Sequence, residues 1–405
     1  MNRSRRLWLQ GALAFVATIP FAGQSAAKGP RPNFEQWVKT FRARALKRGI
    51  SGRTYDRVMN GLKPDTSVYA LLRQQPEFHE QLWQYLNRRV SDFRIATGKD
   101  KAKEHAALLA RVEKEFGVDR YLLLALWGVE SAYGDPSVQR AYMRPVFPAL
   151  AALAWGEPRR RKYWEKELLN ALVIVERGWS TPEQMRGSWA GAMGHTQWMP
   201  EVWLNIGVDF DKDGRISPFG NPADALAGAA RYLSVRGKYR RGEHWGYEVR
   251  GAHGSSRRLR SYAAWQKAGV KRADGKPFPR PNDKARLWTP VKGGPSFLLG
   301  QNFYAVRSYN PSMNYALAIV HLSDRLRGEG PFVQPFPGGE RAPTTVELQE
   351  LQQRLTKAGF DTGGTDGRVG AGTMRAVRAY QQKVGIEPAD GYPSLKVLEH
   401  LRRGH

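Results

Sequence analysis

From Phe34 to Ile50 the chain reads FEQWVKTFRARALKRGI, with apolar residues recurring at intervals of three and four. That spacing predicts an amphipathic helix turning Phe34, Trp37, Val38 and Phe41 inward. Ser51 stands where it can cap a short second helix ending near Met59. A broad apolar stripe over 76–95, including Leu82, Trp83, Tyr85, Leu86, Val90 and Phe93, predicts one long helix, with Tyr85 read as core. A helix over 101–116 leads into YLLLALWGVESAYG, Tyr121 to Gly134, where no charge falls between Leu122 and Val129. Asp119 is the expected N-cap and Gly134 the expected stop, so this helix should be buried over most of its surface, with Glu130 at its end.

Further helices are expected over 149–155, 159–176 and 224–232, the second carrying Glu165, Glu167 and Glu176 as solvated, ion-paired charges. The helical period weakens from Gly246 to Leu299, where 247–250, 285–290 and 296–299 read as strands and 260–268 as a helix, suggesting an inserted lobe. Helical signals return over 302–327. Residues 329–343 are rich in Pro and Gly and read as a linker, which leaves the placement of the C-terminal residues open. Residues 344–405 form a small module of three helices with an imperfect repeat, each Asp-Gly turn (Asp366-Gly367 and Asp390-Gly391) preceding a helix start. The expected fold is therefore mainly α, with a β-containing lobe inserted into a main domain over 28–328.

The 405 residues carry a net charge of +27, spread along the whole length, which favours polyanionic partners such as a carboxylate-bearing wall polymer, nucleic acid or an anionic membrane surface. There is no cysteine, so disulfides, thiolate nucleophiles, zinc–thiolate sites and an N-terminal lipid-bearing Cys are excluded. Residues 1–27 read as an export signal: Arg3, Arg5 and Arg6 precede an apolar run from Leu7 to Ala22, and Ser25-Ala26-Ala27 offers a cleavage site near Ala27. Ser4-Arg5-Arg6-Leu7-Trp8-Leu9 also fits a twin-arginine signal as well as an ordinary secretory one. The run is too short and interrupted for a membrane span, so a soluble periplasmic protein is expected.

Three stretches carry candidate chemistry. A carboxyl at the end of an apolar helix resists ionisation when it lacks a counter-charge, which suits Glu130 to general acid work; the plain alternative is a Glu reaching water or an Arg. Ser188 to Pro200, SWAGAMGHTQWMP, sets small residues beside Ser188, His195, Thr196 and Gln197, which fits either a polar ligand lying on the backbone or a tight packing turn. His195 has no acid at a suggestive spacing and reads as a bystander or minor ligand. DFDKDG, Asp209 to Gly214, matches the first half of an EF-hand loop, but Gly220 stands where a bidentate Glu is required. Closure by Asp224 of a longer loop, or an acidic turn without metal, both remain open.

Taken in order, the motifs WGVESAYG around Glu130, SWAGAMGHTQWMP, VDFDKDGRISPFGNPADALAGAARYL and NFYAVRSYNPSMNYALA resemble the lytic murein transglycosylase B family over roughly residues 33–328. LQQRL, DGRVGAGT and AVRAYQQ resemble a peptidoglycan-binding domain of three helices. The resemblance implies a lysozyme-like fold with Glu130 as the sole catalytic acid and base. It also implies a glycan groove lined by Tyr85, Ser188, Gln197, Tyr232, Tyr309, Asn310 and Tyr315. It further implies a structural Ca²⁺ at Asp209, Asp211, Asp213, the Arg215 carbonyl and Asp224, in a loop one residue longer than usual, and no cofactor for the chemistry. The implied substrate is peptidoglycan, cut between N-acetylmuramic acid and N-acetylglucosamine to leave 1,6-anhydro ends. A hydrolase of the same polymer and a non-catalytic wall-binding protein are the rivals. Nucleic acid is set aside because no recognition motif accompanies the charge.

Overall fold

A computed structural model describes residues 33–73, 80–337 and 339–404. The expected export signal over 1–27 and part of the predicted 76–95 helix lie outside them. The apolar period is realised first in the helices Phe34–Lys47 and Gly52–Met59, the latter capped by Ser51, whose Oγ accepts from the Thr54 amide. The stripe expected as one helix instead forms Leu82–Arg89 and Asp92–Glu104. Ser91 is the reason: its Oγ accepts from the Arg94 amide and restarts the chain as an N-cap. A second break at His105, φ −108° and ψ 24°, separates Asp92–Glu104 from Ala106–Phe116.

The central helix, Arg120–Ser131, is buried from Leu122 to Ser131, and Asp119 Oδ1 accepts from the Tyr121 and Leu122 amides as its N-cap. The helix Met313–Arg327 packs along it, and Ala106–Phe116, Ala223–Val235 and Asp92–Glu104 complete its surroundings. Val146–Gly156 and Arg161–Glu176 pack on one another beside this bundle, in one continuous core.

The inserted lobe is an antiparallel five-stranded sheet in the order Arg260–Ser261, Lys284–Trp288, Ser296–Leu299, Gly246–Arg250, Lys271–Arg272, with Leu298 opposite both Tyr247 and Leu287. It has its own small core around Val249, Tyr262, Trp265, Phe278 and Leu298. Asp324 on Met313–Arg327 ties its root down by accepting from Trp245 Nε1 at 2.8 Å, with His244 Nε2 at 3.2 Å. The C-terminal helices Thr345–Lys357, Ala371–Val384 and Leu395–Arg403 enclose a separate core of Leu351, Leu355, Val377, Tyr380, Val397 and Leu398. Each Asp-Gly turn is clamped alike: the Gly367 amide donates to Gln352 Oε1 and the Gly391 amide to Gln381 Oε1, both at 2.8 Å.

The acids of Arg161–Glu176 meet expectation only in part: Glu165 is ion-paired and Glu176 exposed, but Glu165 and Glu167 are buried. Glu165 is buried against Arg44 at 2.7 Å, Glu176 accepts from the Ser51 amide and hydroxyl, and Glu167 is only 2% exposed, accepting from the Glu201 amide at 2.9 Å. A helical period reports which face is apolar but not whether a neighbouring helix covers the polar one. Burial pushes the Glu167 carboxyl up to about 7. Folding therefore favours its protonated form, so the stability it allows is full below pH ~4.5 and falls as pH rises through about 7. Glu167→Gln keeps the acceptor and removes the titration: urea unfolding should show it more stable than the parent by on the order of 2 kcal/mol at pH 8 and equal at pH ~4.5.

Candidate active site

The site begins where the central helix stops. Glu130 is 4% exposed, in the last turn, and Tyr315 donates its hydroxyl to Glu130 Oε1. Tyr315 is held there by helix start chemistry, because Ser312 Oγ caps Met313–Arg327 by accepting the Tyr315 amide. The preceding helix Gln301–Tyr309 ends in a residue whose phenol donates to the Thr196 carbonyl at 2.6 Å. Asn310 Oδ1 accepts from the Ser312 amide, which shapes the turn between the two helices. The Tyr309 ring meets that of Tyr232 edge to face at 4.9 Å, and Tyr232 donates to the Ser308 carbonyl.

Burial first, and the neighbouring Glu130 charge second, drive the Tyr309 and Tyr315 phenols well above their ordinary values. Both therefore remain donors across the working pH range. Tyr85 is buried on Leu82–Arg89 with the Arg89 guanidinium 3.5 Å from its ring centroid, and its phenol also acts on Tyr315. Of the expected groove residues, Tyr309 and Tyr315 thus lie near the Glu130 carboxyl, and Tyr85 lies near Tyr315 from a third helix.

The loop 187–198 forms another wall, folded on itself through bridges of Met193 with Gly187 and Trp198. Its small residues are needed because backbone meets backbone: a Cβ on Gly194, at φ +73°, would lie 2.1 Å from the Pro218 carbonyl oxygen. Ser188 Oγ accepts from the Ala190 and Ala192 amides, which leaves its hydroxyl hydrogen to donate. Gln197 holds φ +52° and donates Nε2–H to the Gly194 carbonyl, while its buried Oε1 has no hydrogen-bond partner among the described residues. A buried acceptor without a donor is costly, and a ligand N–H or O–H would satisfy it.

His195 is placed as a strut. The Trp127 indole can only donate, so its 3.1 Å bond makes His195 Nδ1 the acceptor and leaves Nε2–H to donate to the Gly220 carbonyl at 2.8 Å. Burial lowers its pKa, and both ring nitrogens are engaged. Ser131, unremarked in the sequence, donates to the His195 carbonyl at 2.7 Å and accepts from the Gly134 amide. The helix ends through Ala132 and Tyr133, both at positive φ, before Gly134. Arg94 was likewise silent in the sequence: it is half-buried, its guanidinium pushed down to about 10 by desolvation, and it donates to the Gly128 and Arg88 carbonyls. No local pattern marks such residues, because the partners Gly128 and His195 that tie them to the site are 34 and 64 positions away.

The acidic loop divides its roles. Carboxylate oxygens of Asp209, Asp211 and Asp213 lie within 4.8 Å of one another, and Asp209 Oδ1 is buried without a partner among the described residues. That orphan oxygen beside two further carboxylates fits a hard cation. Asp224 is used differently: its two oxygens accept the Phe210 and Ser217 amides at 2.7 and 2.9 Å, so it closes the loop through the backbone and does not join the cluster of three.

The transglycosylase SLT domain family matches residues 33–324, most of the chain. This chain belongs to that family. The putative peptidoglycan-binding domain family matches residues 344–401. Against this SLT-family member, the membrane-bound lytic murein transglycosylase B of Escherichia coli is 27% identical over 270 residues, 66% of this chain and 72% of the relative. SltB3 from Pseudomonas aeruginosa, solved in complex with NAG-anhNAM-pentapeptide, is 38% identical with a TM-score of 0.70, covering 91% of this chain and 99% of that one. SltB1 from the same organism is 26% identical with a TM-score of 0.62, covering 73% of this chain and all of that one. The main domain is mainly helical and lysozyme-like, followed by the helical module.

Gly128 gives this geometry a test. Replacing a helical Gly by Ala ordinarily stabilises by about 1 kcal/mol. Here the added Cβ would meet the Tyr133 ring at 2.5 Å, within the turn that follows Glu130. Gly128→Ala should therefore lower stability by ~1–3 kcal/mol in thermal unfolding; a rise would show that Tyr133 is not seated on the helix.

Proposed function

We propose that this chain is a periplasmic lytic transglycosylase that cuts the glycan strands of peptidoglycan between N-acetylmuramic acid and N-acetylglucosamine, with Glu130 as the single general acid and base. The observation that carries the reading is a deeply buried carboxyl hydrogen-bonded by a phenol that stays protonated, with an unsatisfied amide acceptor at Gln197 next to Thr196, whose carbonyl receives the Tyr309 hydroxyl. The names of the relatives support the reaction, and the C-terminal match supports the polymer. The N-terminal signal motif supports export, and no described helix is long and apolar enough to cross a membrane.

Glycoside cleavage by two carboxylates needs an acid and a second group that acts as base or nucleophile. Here the substrate supplies the second group. Glu130 in its acid form protonates the glycosidic oxygen as the C1–O bond breaks, and the muramoyl acetamido oxygen stabilises the positive charge at C1. The resulting carboxylate removes the proton from the muramoyl 6-hydroxyl, whose oxygen bonds to C1. Atoms balance without water, and Glu130 regains its starting state. The Tyr315 hydroxyl holds the carboxyl in register throughout, and Ser188, Gln197, Tyr232 and Asn310 line the glycan path.

Asp209, Asp211, Asp213 and the Arg215 carbonyl would hold a Ca²⁺ whose part is to brace the loop ahead of helix Ala223–Val235. It takes no part in the chemistry.

Digested sacculi analysed by mass spectrometry should give fragments that gain no water per cut; products heavier by one water would make the enzyme a hydrolase. Glu130→Gln should lower kcat by at least about 10³-fold with an unchanged thermal midpoint. After chelation, millimolar Ca²⁺ should raise the thermal midpoint of the parent protein, by an amount equivalent to ~2–3 kcal/mol at a hundredfold excess over Kd, and leave Asp211→Asn unmoved.

A further inference from the structure

The short helix Leu82–Arg89 has two faces with different neighbours. Leu82, Tyr85, Leu86 and Arg89, at helical spacing, are buried toward the main domain, and the helix packs on Met313–Arg327, which carries Tyr315. The opposite face belongs to the C-terminal module. Gln84 Nε2 donates to Asp390 Oδ2 at 2.6 Å, Asn87 Nδ2 donates to the Tyr392 hydroxyl at 2.9 Å, and the Trp83 ring meets that of Tyr392 edge to face at 5.0 Å.

A second latch lies beyond the catalytic helix. Arg368 donates to Asp135 Oδ2 at 2.7 Å and lays its guanidinium 4.9 Å from the Phe93 ring centroid. Asp135 follows directly on the Ala132–Gly134 turn that ends the helix bearing Glu130. Both latches spring from the Asp-Gly turns that Gln352 and Gln381 clamp inside the module, so the docking groups sit on rigid supports. The connecting segment is also fastened: Phe332 stacks on His321 at 3.8 Å, and the Val333 and Gln334 amides donate to Glu248.

A module serving only as a wall anchor has no need of contacts on both elements that flank the acid. We propose that the C-terminal module is a positioning part of the active site: docked on Leu82–Arg89 it holds Tyr85 beside Tyr315, and through Arg368 it holds the turn after Glu130. Gln84, Asn87, Arg368 and Tyr392 are thereby positioning residues for the reaction proposed above, on which this inference rests for its kinetic readout. Docking couples two sites through packed side chains, and small displacements of a reacting group cost large factors in rate.

The test uses the full chain and the double variant Asn87→Ala/Arg368→Ala, which removes the Asn87 bonds to Tyr392 and the Glu340 carbonyl from one latch and the Arg368 contacts with Asp135 and Phe93 from the other, and leaves the Gln352 and Gln381 clamps intact. Retention on insoluble sacculi should match the parent protein. On a soluble glycan of two disaccharide units, kcat should fall about tenfold with KM within ~twofold. Hydrogen exchange of the 82–89 amides should rise about tenfold. Unchanged kcat on the soluble glycan with reduced activity on sacculi would make the module a tether and overturn the proposal, as would unchanged exchange in 82–89. Hydrolytic products from the parent protein would instead refute the transglycosylase reading, and the exchange measurement would still decide whether the module supports the helix.

Discussion

The structure is built around a carboxyl that the fold takes out of water and joins to a phenol from another helix. Burying Glu130 at the end of a helix with an apolar body costs free energy, and the Tyr315 hydroxyl, itself buried, offsets part of it by a hydrogen bond. That bond spans 185 positions of the chain. The lobe root at Trp245, the cap at Ser312 and the Tyr309–Thr196 bond can all be read as fixing Met313–Arg327 and its neighbours so that Tyr315 meets Glu130.

The second constraint is steric. The 187–198 loop packs its backbone against the rest of the domain at Gly187, Gly191 and Gly194, where an added Cβ would strike neighbouring protein atoms within 3 Å. The same loop is anchored by groups that look chemical in isolation. His195 spends both ring nitrogens on Trp127 and Gly220, and Thr196 donates to the Ala225 carbonyl and receives Tyr309. Polar residues here hold the loop together, while Gln197 Oε1 is buried without a hydrogen-bond partner among the described residues.

Asp224 shows how a side chain marked by its spacing can be taken up by backbone amides elsewhere in the fold. Its spacing invited a place in the ligand set, yet two backbone amides claim it, because Phe210 and Ser217 turn their N–H groups inward where no strand or helix satisfies them. Glu167 is the parallel case on a helix, where a face read as solvated is covered by Pro200–Ile206. In both, a local pattern identified the residue and a distant segment decided its role.

The sequence alone determined the elements whose cause is local: the Asp119 cap, the apolar body of the central helix, the strand Ser296–Leu299, and the Asp-Gly turns that set the module's repeat. It also singled out Glu130, since an acid closing an uncharged run is visible without a fold. The breaks at Ser91 and His105, the strut role of His195, and the service of Ser131 and Arg94 were decided only by tertiary structure. So was the docking of the module that a Pro- and Gly-rich segment had left free to lie anywhere. Periodicity and capping act over one or two turns of chain, whereas these contacts join positions tens to hundreds of residues apart, and their geometry exists only once the helices have packed.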